Sequence, residues 1–440
     1  MTNHRPEGRA DARRHARAAT LVRHRRRPSR SHTIRTLITA IAIALAVVLV
    51  SGASVAAIAV SQFATKVSAN AVDISNGATD VPAIPQLSSF EGGFNVLVVG
   101  VDNSLTQSAA YGDRTGTLND VNILLHVSAD HKSAVVVSIP RDLVVSQPAC
   151  TDPVTGKVSK AVTSTAVNAS FGRGGLGCVV STVSALTGLA IPYAGLISFE
   201  GTVAMADAVG GVPICLNDAI KDPYTGLDLP AGTSVVSGTA ALSYLRSRHG
   251  VGDGSDLSRI SSQQAYMSSL MRVMKSSSTL TDVSKLSALA TAAGTNLMLS
   301  TSLANIPTMV SMALALKDID LNQLVFVQYP SATDPDNPAK LVPSTALAKK
   351  LFAAVTADRS FTLDANSLGD SAELDPTASP AATPAATPGA TATPAPTPAA
   401  TDAATSSPAP TATDAGAPVE IAGLRGQTAS QQTCSIAYNY

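Results

Sequence analysis

The sequence predicts one α/β domain, a central mixed β-sheet flanked by helices, preceded by a transmembrane helix and followed by a disordered Ala/Thr/Pro tail. Three observations predict it. Short β-branched runs are interspersed with stretches whose apolar residues recur at helical spacing. A 24-residue uncharged apolar segment, residues 37–60, follows directly on an Arg-rich head. Residues 371–418 are almost entirely Ala, Thr, Pro, Ser, Asp and Gly, a composition that cannot bury apolar surface.

The 440 residues carry no net charge, yet residues 1–35 hold eleven Arg against Glu7 and Asp11. A basic head abutting an apolar run is a topology signal. Residues 1–36 are therefore expected in the cytoplasm and everything beyond Val60 outside, on a single-pass membrane protein. As a helix the apolar segment would measure roughly 36 Å at about 1.5 Å per residue, enough to cross a bilayer. A cleaved secretory signal is the competing reading, but its apolar core usually runs about 7–15 residues. Arg23–Arg27 would suit nucleic acid only if the membrane segment did not adjoin it, so the lipid bilayer and no nucleic acid is the expected partner. Residues 61–88, small and polar with Pro82 and Pro85, read as a stalk.

Residues 89–360 have globular composition and are long enough for one sizeable domain. Phe94–Gly100, Val121–Val127 and Ala134–Ile139 read as buried strands, the last two joined by a turn at 128–133. Helical spacing marks residues 176–186, 199–209, 239–245, 256–274, 283–293 and 302–315, and Leu324–Val327 reads as a late strand. Trp is absent and aromatics are scarce, so aliphatic residues must build the core and an aromatic-lined sugar groove is not expected. Residues 361–418 are assigned to a low-complexity linker. Residues 419–440 regain apolar character but are too short for a domain, and docking back is the role left to them. The four cysteines, Cys150, Cys178, Cys215 and Cys434, all fall on the outer side, where disulfides persist. Three pairings are possible and the spacing does not choose among them; Cys150–Cys178, which would clasp a loop rich in Gly and Ser, is favoured. No two lie at CxxC spacing and no His cluster accompanies them, which argues against zinc.

The chemistry concentrates in two places. Arg246, Arg248 and Arg259, with Gln263, lie within eighteen residues of one another. Arg is a fixed planar cation that binds phosphate oxygens in pairs, and three close together repel unless an anion lies between them. Any one of them is explained by a solvated helix end, where cations also complement the dipole; their convergence is not. Asp256 is placed to cap the second helix, Arg259 and Gln263 share one of its faces, and Ile260, Met267, Leu270, Met271 and Met274 are expected on the opposite, buried face. The Gly-rich loop at 250–255 between the arginines is placed to close over a ligand. Upstream, Asp120 opens the second strand and Arg141-Asp142 follows the third. An antiparallel hairpin brings Asp120 and Asp142 together, and a cation between them is the natural resolution of their repulsion. The bland alternative pairs Asp142 with Arg141 at a turn. Asp102, at the end of the first strand, suits either a ligand crevice or an Asp-Asn turn.

Together these residues resemble the LytR–CpsA–Psr family of bacterial cell-wall glycopolymer ligases. The resemblance covers roughly residues 90–275 and is carried by Phe94–Asp102, Asn119–Asp142 with its IPRD block, Val167–Gly175 with Asn168, Phe199–Cys215, Leu227–Gly232, and the LRSRHG and RIxxQQ blocks within 240–264. The resemblance implies a Mg2+ (or Mn2+) ion on Asp120 and Asp142, and pyrophosphate held by Arg141, Arg246, Arg248 and Arg259 beside Gln263. Arg141, Asp142, Arg246 and Arg248 are the catalytic candidates, with Asp142 or Asp102 as proton acceptor. Members usually carry Arg where this chain has Ser104, and a basic residue where it has Thr117-Leu118-Asn119; Arg114 is the candidate to supply the missing charge. The implied reaction transfers a phospho-linked glycan from a polyprenyl-pyrophosphate carrier to a peptidoglycan acceptor. A polyprenyl-pyrophosphate hydrolase, and a non-catalytic lipid-linked glycan binder or envelope-stress regulator, are the alternatives.

Overall fold

β-Branched runs flanked by turn residues form the strands that organise the domain. In the computed structural model the described residues are 71–75, 91–102, 117–275 except 154, 296–378 except 305, and 418–438, with 292–293 and scattered positions between 35 and 65. The chain divides into two units, Met1–Val60 and Ser61–Tyr440. In the first, the described positions between 35 and 51 are helical, and Ile38, Ile41, Ile43 and Val47 are exposed. No helix among the described residues is long and apolar enough to cross a membrane. The Arg-rich head and most of the expected span lie outside the described residues.

In the second unit the principal strands are β1 (Phe94–Val101), β2 (Asn119–Val127), β3 (Ala134–Ser138), β4 (Tyr193–Ile197), β5 (Val212–Leu216), β6 (Gly232–Val236), β7 (Leu297–Leu299), β8 (Leu324–Gln328), β9 (Ala372–Leu374), β10 (Gly426–Thr428) and β11 (Thr433–Ser435). A seven-stranded sheet runs in the order β7-β4-β1-β2-β3-β8-β10, and a four-stranded sheet in the order β6-β5-β11-β9. The larger sheet is mixed: β1 pairs antiparallel with β2 and parallel with β4, and β3 pairs antiparallel with β2 and parallel with β8. The helices are α1 (Ser170–Thr187), α2 (Phe199–Val209), α3 (Gly238–Arg246), α4 (Asp256–Lys275), α5 (Ile306–Lys317) and α6 (Thr345–Thr356).

Side chains alternate across the pleat, so the large sheet buries both faces. Leu97, Val99 and Leu124 pack with Val179 and Val183 of α1 and Leu351 of α6. Val96, Val136 and Phe326 pack on the other face with Met312 of α5 and Met267 of α4. A third cluster, including Ile214, Leu216, Tyr244 and Tyr266, joins the smaller sheet to α3 and α4. Local chemistry sets the helix ends. Ser198 accepts from Gly201 N at the start of α2, and Gly210 takes the left-handed conformation that ends it.

Several expectations need correction. Residues 361–378 belong to the fold, not to the linker: β9 pairs with β11, and Phe361–Thr362 pairs with Val419–Glu420. The stalk is tied down at Val72, which donates to Leu299 O (2.9 Å) and accepts from Thr301 N (3.0 Å). Helix α5 begins at Ile306, not at residue 302, because the preceding hydroxyls build a turn in which Ser300 Oγ takes Ala194 N (3.1 Å). The helix expected at 283–293 and the linker from 379 to 417 lie outside the described residues, save helical positions 292–293. Cys150 pairs with Cys178 as favoured, and Cys215 pairs with Cys434 across 219 residues. The C-terminal segment does dock, contributing β10 to one sheet and β11 to the other.

Candidate functional site

Ile123 faces Ser138 across the β2–β3 pair, and Ile139 N then donates to Asn122 O (2.8 Å), so the chain leaving β3 turns back over the start of β2. Arg141 thereby meets Asp120, Nη1 to Oδ1, at 2.8 Å, while its Nε lies 3.3 Å from Asp142 Oδ2. The two carboxylates expected to converge do so, but the Arg141 guanidinium stands between them. Lys340, which no sequence motif signalled, places Nζ 2.6 Å from Asp142 Oδ1. Both oxygens of Asp142 are therefore committed to side-chain cations. Burial pushes the Asp142 carboxyl up, but the Lys340 bond and the charges of Arg141, Lys340 and Arg248 prevail and hold it below its ordinary range.

Asp256 does more than begin a helix. Ser255 Oγ accepts from Ser258 N (3.1 Å), the capping role expected of Asp256. The buried Asp256 carboxylate instead lies 2.7 Å from Arg259 Nη2 and 3.5 Å from Arg141 Nε. Arg259 Nη2 also reaches Asp120 O at 2.8 Å. Burial lowers the Arg259 pKa, with Asp256 opposing the effect and Arg141 adding to it; for Arg141 burial acts in the same direction, but Asp120 and Asp256 outweigh it and the pKa is raised. Arginine remains charged throughout.

The preceding arginines are set by α3. Arg246 lies over the Phe199 ring, 4.3 Å from its centroid. The buried Asp222 accepts from Ser247 Oγ (2.7 Å) and Arg248 N (3.3 Å), fixing the backbone that carries Arg248. Gln263 Nε2 donates to Leu245 O (2.8 Å), satisfying a carbonyl at the helix end. The Nε atoms of Arg248 and Arg259 are buried and have no hydrogen-bond partner. Buried donors left unpaired are costly, and an anion would satisfy both.

These groups close one end of a cavity of about 600 Å3, whose wall includes Asp120, Arg141, Arg246, Arg248, Arg259 and Gln263. Apart from Ser198 and Thr202 the rest of the wall is largely apolar, with Val98, Ile123, Ile197, Met205 and Leu270 among its residues. Helix α4 supplies one stripe of it: Arg259 and Gln263, then Tyr266, Met267 and Leu270, at spacings of three and four. The expected division of this helix into opposite polar and apolar faces is wrong. Its first half is buried almost all round, and polarity changes along the stripe instead.

Two other candidates, Asp102 and Asn168, are not among the described residues of the cavity wall. Asp102 is buried and accepts from Leu118 N (2.9 Å), sixteen residues on; Asn103, its partner in the expected turn, lies outside the described residues. Asn168 bonds through its backbone, N to Arg141 O at 3.0 Å. Arg114 and Ser104 are outside the described residues. Of the two carboxylates expected to hold a divalent ion, Asp142 meets a side-chain cation at each oxygen, whereas Asp120 lines the cavity and, among the described contacts, only its Oδ1 is engaged, by Arg141. One carboxylate completed by phosphate oxygens and water is a fit for Mg2+, which seldom needs an all-protein cage.

The profile of the LytR_cpsA_psr family matches residues 53–355. The chain is 36% identical over 230 residues to cell wall biosynthesis protein LcpA of Corynebacterium glutamicum, covering 46% of this chain and 44% of that protein. It is 30% identical over 244 residues to biofilm regulatory protein A of Streptococcus mutans, covering 52% and 56%. The chain thus spans about half the length of these two relatives. It is 24% identical over 267 residues to the polyisoprenyl-teichoic acid–peptidoglycan teichoic acid transferase TagT of Bacillus subtilis, covering 59% and 76%. Among solved structures, protein gbs0355 of Streptococcus agalactiae aligns with a TM-score of 0.50 at 20% identity, covering 61% of this chain and 88% of that one, a likeness of fold.

Proposed function

The chain belongs to the LytR_cpsA_psr family, and on that premise we propose that it is a membrane-anchored transferase acting outside the cell, which moves a phospho-glycan from a polyprenyl-pyrophosphate carrier to peptidoglycan. The observation that carries this reading is the cavity: an apolar chamber ended by four arginines, two with unpaired buried Nε donors. A prenyl chain matches the chamber and a pyrophosphate matches its end. The Bacillus relative, a polyisoprenyl-teichoic acid–peptidoglycan teichoic acid transferase, fits the same reading. The uncharged run at 37–60 behind an Arg-rich head would anchor the chain in the bilayer.

In this reading Arg248 and Arg259 take the pyrophosphate oxygens through their free donors, and Arg141 and Arg246 add charge at the same end of the cavity. An acceptor sugar hydroxyl attacks the phosphorus bearing the glycan. A new P–O bond forms, the bond to the bridging oxygen breaks, and polyprenyl phosphate leaves with that oxygen and its electron pair. The arginines stabilise the charge that gathers on the leaving phosphate. The hydroxyl proton passes to water as the new P–O bond forms. Neither carboxylate expected as base is suited to the task, since Asp142 is held by Lys340 and Arg141 and Asp102 is not part of the cavity wall. Mg2+ bound at Asp120 would neutralise phosphate charge.

The test incubates the full chain in detergent with a polyprenyl-pyrophosphate glycan, peptidoglycan fragments and Mg2+, following polyprenyl phosphate and conjugate together. Equal release of both is expected. Polyprenyl phosphate without conjugate would make the protein a hydrolase, and bound lipid with no product would make it a binder.

A further inference from the structure

Arg248 and Arg259 are joined by a loop, residues 250–255, that contains Gly250, Gly252 and Gly254. The loop makes some bonds of its own, Gly254 N to Val251 O (3.0 Å) and Ser255 N to Asp253 Oδ1 (2.9 Å), but its three glycines leave it many conformations to lose. The two arginines it joins repel one another. Asp256 offsets the charge of Arg259 and Asp222 holds the backbone of Arg248, and contacts from outside the loop add to what sets their spacing when no anion is bound.

Those contacts come from the other end of the chain. Gly252 N donates to Ile436 O (2.9 Å), Tyr438 N donates to Gly250 O (3.0 Å), and Val251 and Ala437 form an antiparallel bridge. The Tyr438 ring lies against Gly254, where a Cβ would stand 3.6 Å from it. Gly252 is left-handed (φ +53°), and a Cβ there would come within 2.8 Å of both Ser258 and Ser371 side chains, so the loop is pressed tightly onto its support. The same segment reaches both arginine helices. Tyr244, two residues before Arg246 on α3, places its hydroxyl 2.5 Å from Ser435 Oγ. Ser435 Oγ in turn meets Ser262 Oγ (3.4 Å), one residue before Gln263 on α4. The segment is itself anchored by pairing with β5 and β9 and by the Cys215–Cys434 bond.

We propose that residues 426–438 are a positioning clasp for the arginine end of the cavity. Delivered from beyond a low-complexity stretch, they fix the 250–255 loop and so the separation of Arg248 and Arg259. The clasp rests on the reading of that end as a pyrophosphate site, and it makes a separate claim: losing it weakens headgroup binding while the apolar chamber, whose wall among the described residues includes none beyond 297, is spared.

The experiment compares the intact chain with a variant ending at Ala437, which loses the Tyr438 contacts and keeps β10, β11 and both disulfides. Inorganic pyrophosphate probes the headgroup end and a prenyl alcohol probes the chamber, each by calorimetry, with hydrogen exchange of residues 250–255 as a ligand-free readout. Pyrophosphate affinity should fall about tenfold, the loss of roughly one charge-assisted contact, with prenyl alcohol affinity unchanged and faster exchange at Gly252 and Gly254. Ser435→Ala, a smaller change within the folded segment, should act in the same direction. Undiminished pyrophosphate binding in both variants overturns the clasp, as does a parallel loss of both ligands, which would mark a merely structural segment. An intact chain that binds no pyrophosphate overturns the headgroup reading and the clasp with it.

Discussion

Lys340 Nζ lies 2.6 Å from Asp142 Oδ1, joining a loop late in the chain to the turn after β3, 198 residues earlier. Arg141 holds the other Asp142 oxygen at 3.3 Å and Asp120 at 2.8 Å. A row of alternating charge therefore runs Lys340, Asp142, Arg141, Asp120, with Asp256 closing on Arg141 and Arg259. Asp142 and Asp256 are each shared between two cations, so altering one member redistributes the others.

Removing the outermost cation tests that coupling. In Lys340→Met, Asp142 is left with Arg141 and draws it from Asp120. The pair is partly exposed, so unfolding free energy should change by no more than about 1 kcal/mol. Transfer should nevertheless fall about tenfold, the equivalent of roughly 1.4 kcal/mol at the barrier, and Lys340→Arg should retain most of it. Urea unfolding alongside turnover separates the two effects; a rate loss that simply follows the stability loss would contradict the coupling.

Acid titration reads the same pair. The Asp142 carboxyl is held below its ordinary range in the folded protein, where Lys340 and Arg141 outweigh burial. Its contribution is therefore fully present above the unfolded pKa and is lost as pH falls through the lowered folded value. The stability difference between wild type and Asp142→Asn should shrink as pH drops below about 4, near the unfolded carboxyl value. Urea midpoints across that range check it, and a difference that grows on acidification would reverse the assigned direction.

The Cys150–Cys178 bond closes a loop of 28 residues against the kinked start of α1, where Gly174 sits so close that a Cβ would meet Cys150 Cβ at 2.8 Å. Replacing both cysteines by Ala should cost about 2–4 kcal/mol of stability. The bond is not part of the cavity wall, so pyrophosphate affinity at a temperature where the variant is folded should be unchanged. Calorimetric melting and titration of the same sample measure both.

How far the sequence could be read follows from which signals are local. Phe94–Gly100, the β2–β3 hairpin and the helices from Phe199 and Asp256 are set by short-range periodicity, and the structure keeps them within a residue or two. The convergence of Asp120, Arg141 and Asp142 was legible because a hairpin fixes it. Lys340 was not, since an isolated Lys in a polar loop carries no period or motif. β11 was equally hidden: three residues, Thr433–Ser435, form a strand only because β5 and β9 stand on either side. The helix at Asp256 misled for a physical reason. Opposite faces presume water on one side, and α4 has protein or cavity around nearly all of its first half.

Asp120→Asn should separate charge balance from metal binding. Asp120 lines the cavity and only its Oδ1 is engaged, by Arg141, so the amide retains an acceptor for that arginine but loses the anionic oxygen suited to Mg2+. Half-maximal activity should move to higher Mg2+ concentration, with partial recovery at saturation. A metal dependence identical to wild type would remove Asp120 from the ion's surroundings.

Arg246→Ala and Arg248→Ala test the arginine end itself. Arg248 has a buried Nε without a partner, and its backbone is fixed through Asp222, so its side chain is held in place before ligand arrives. Arg246 is steadied by the Phe199 ring. Each should contribute charge-assisted bonds worth about 1.5–3 kcal/mol to a phosphate in a partly desolvated site. Because roughly 1.4 kcal/mol is tenfold in rate, each alanine should lower transfer by about tenfold to a hundredfold. Lysine should rescue only in part, since a point charge cannot form the planar fork. The Arg248 change should also raise the apparent KM for pyrophosphate-bearing lipid, and prenyl alcohol binding should stay as it was. Near-normal turnover of both variants at saturating lipid would show that the phosphates lie elsewhere.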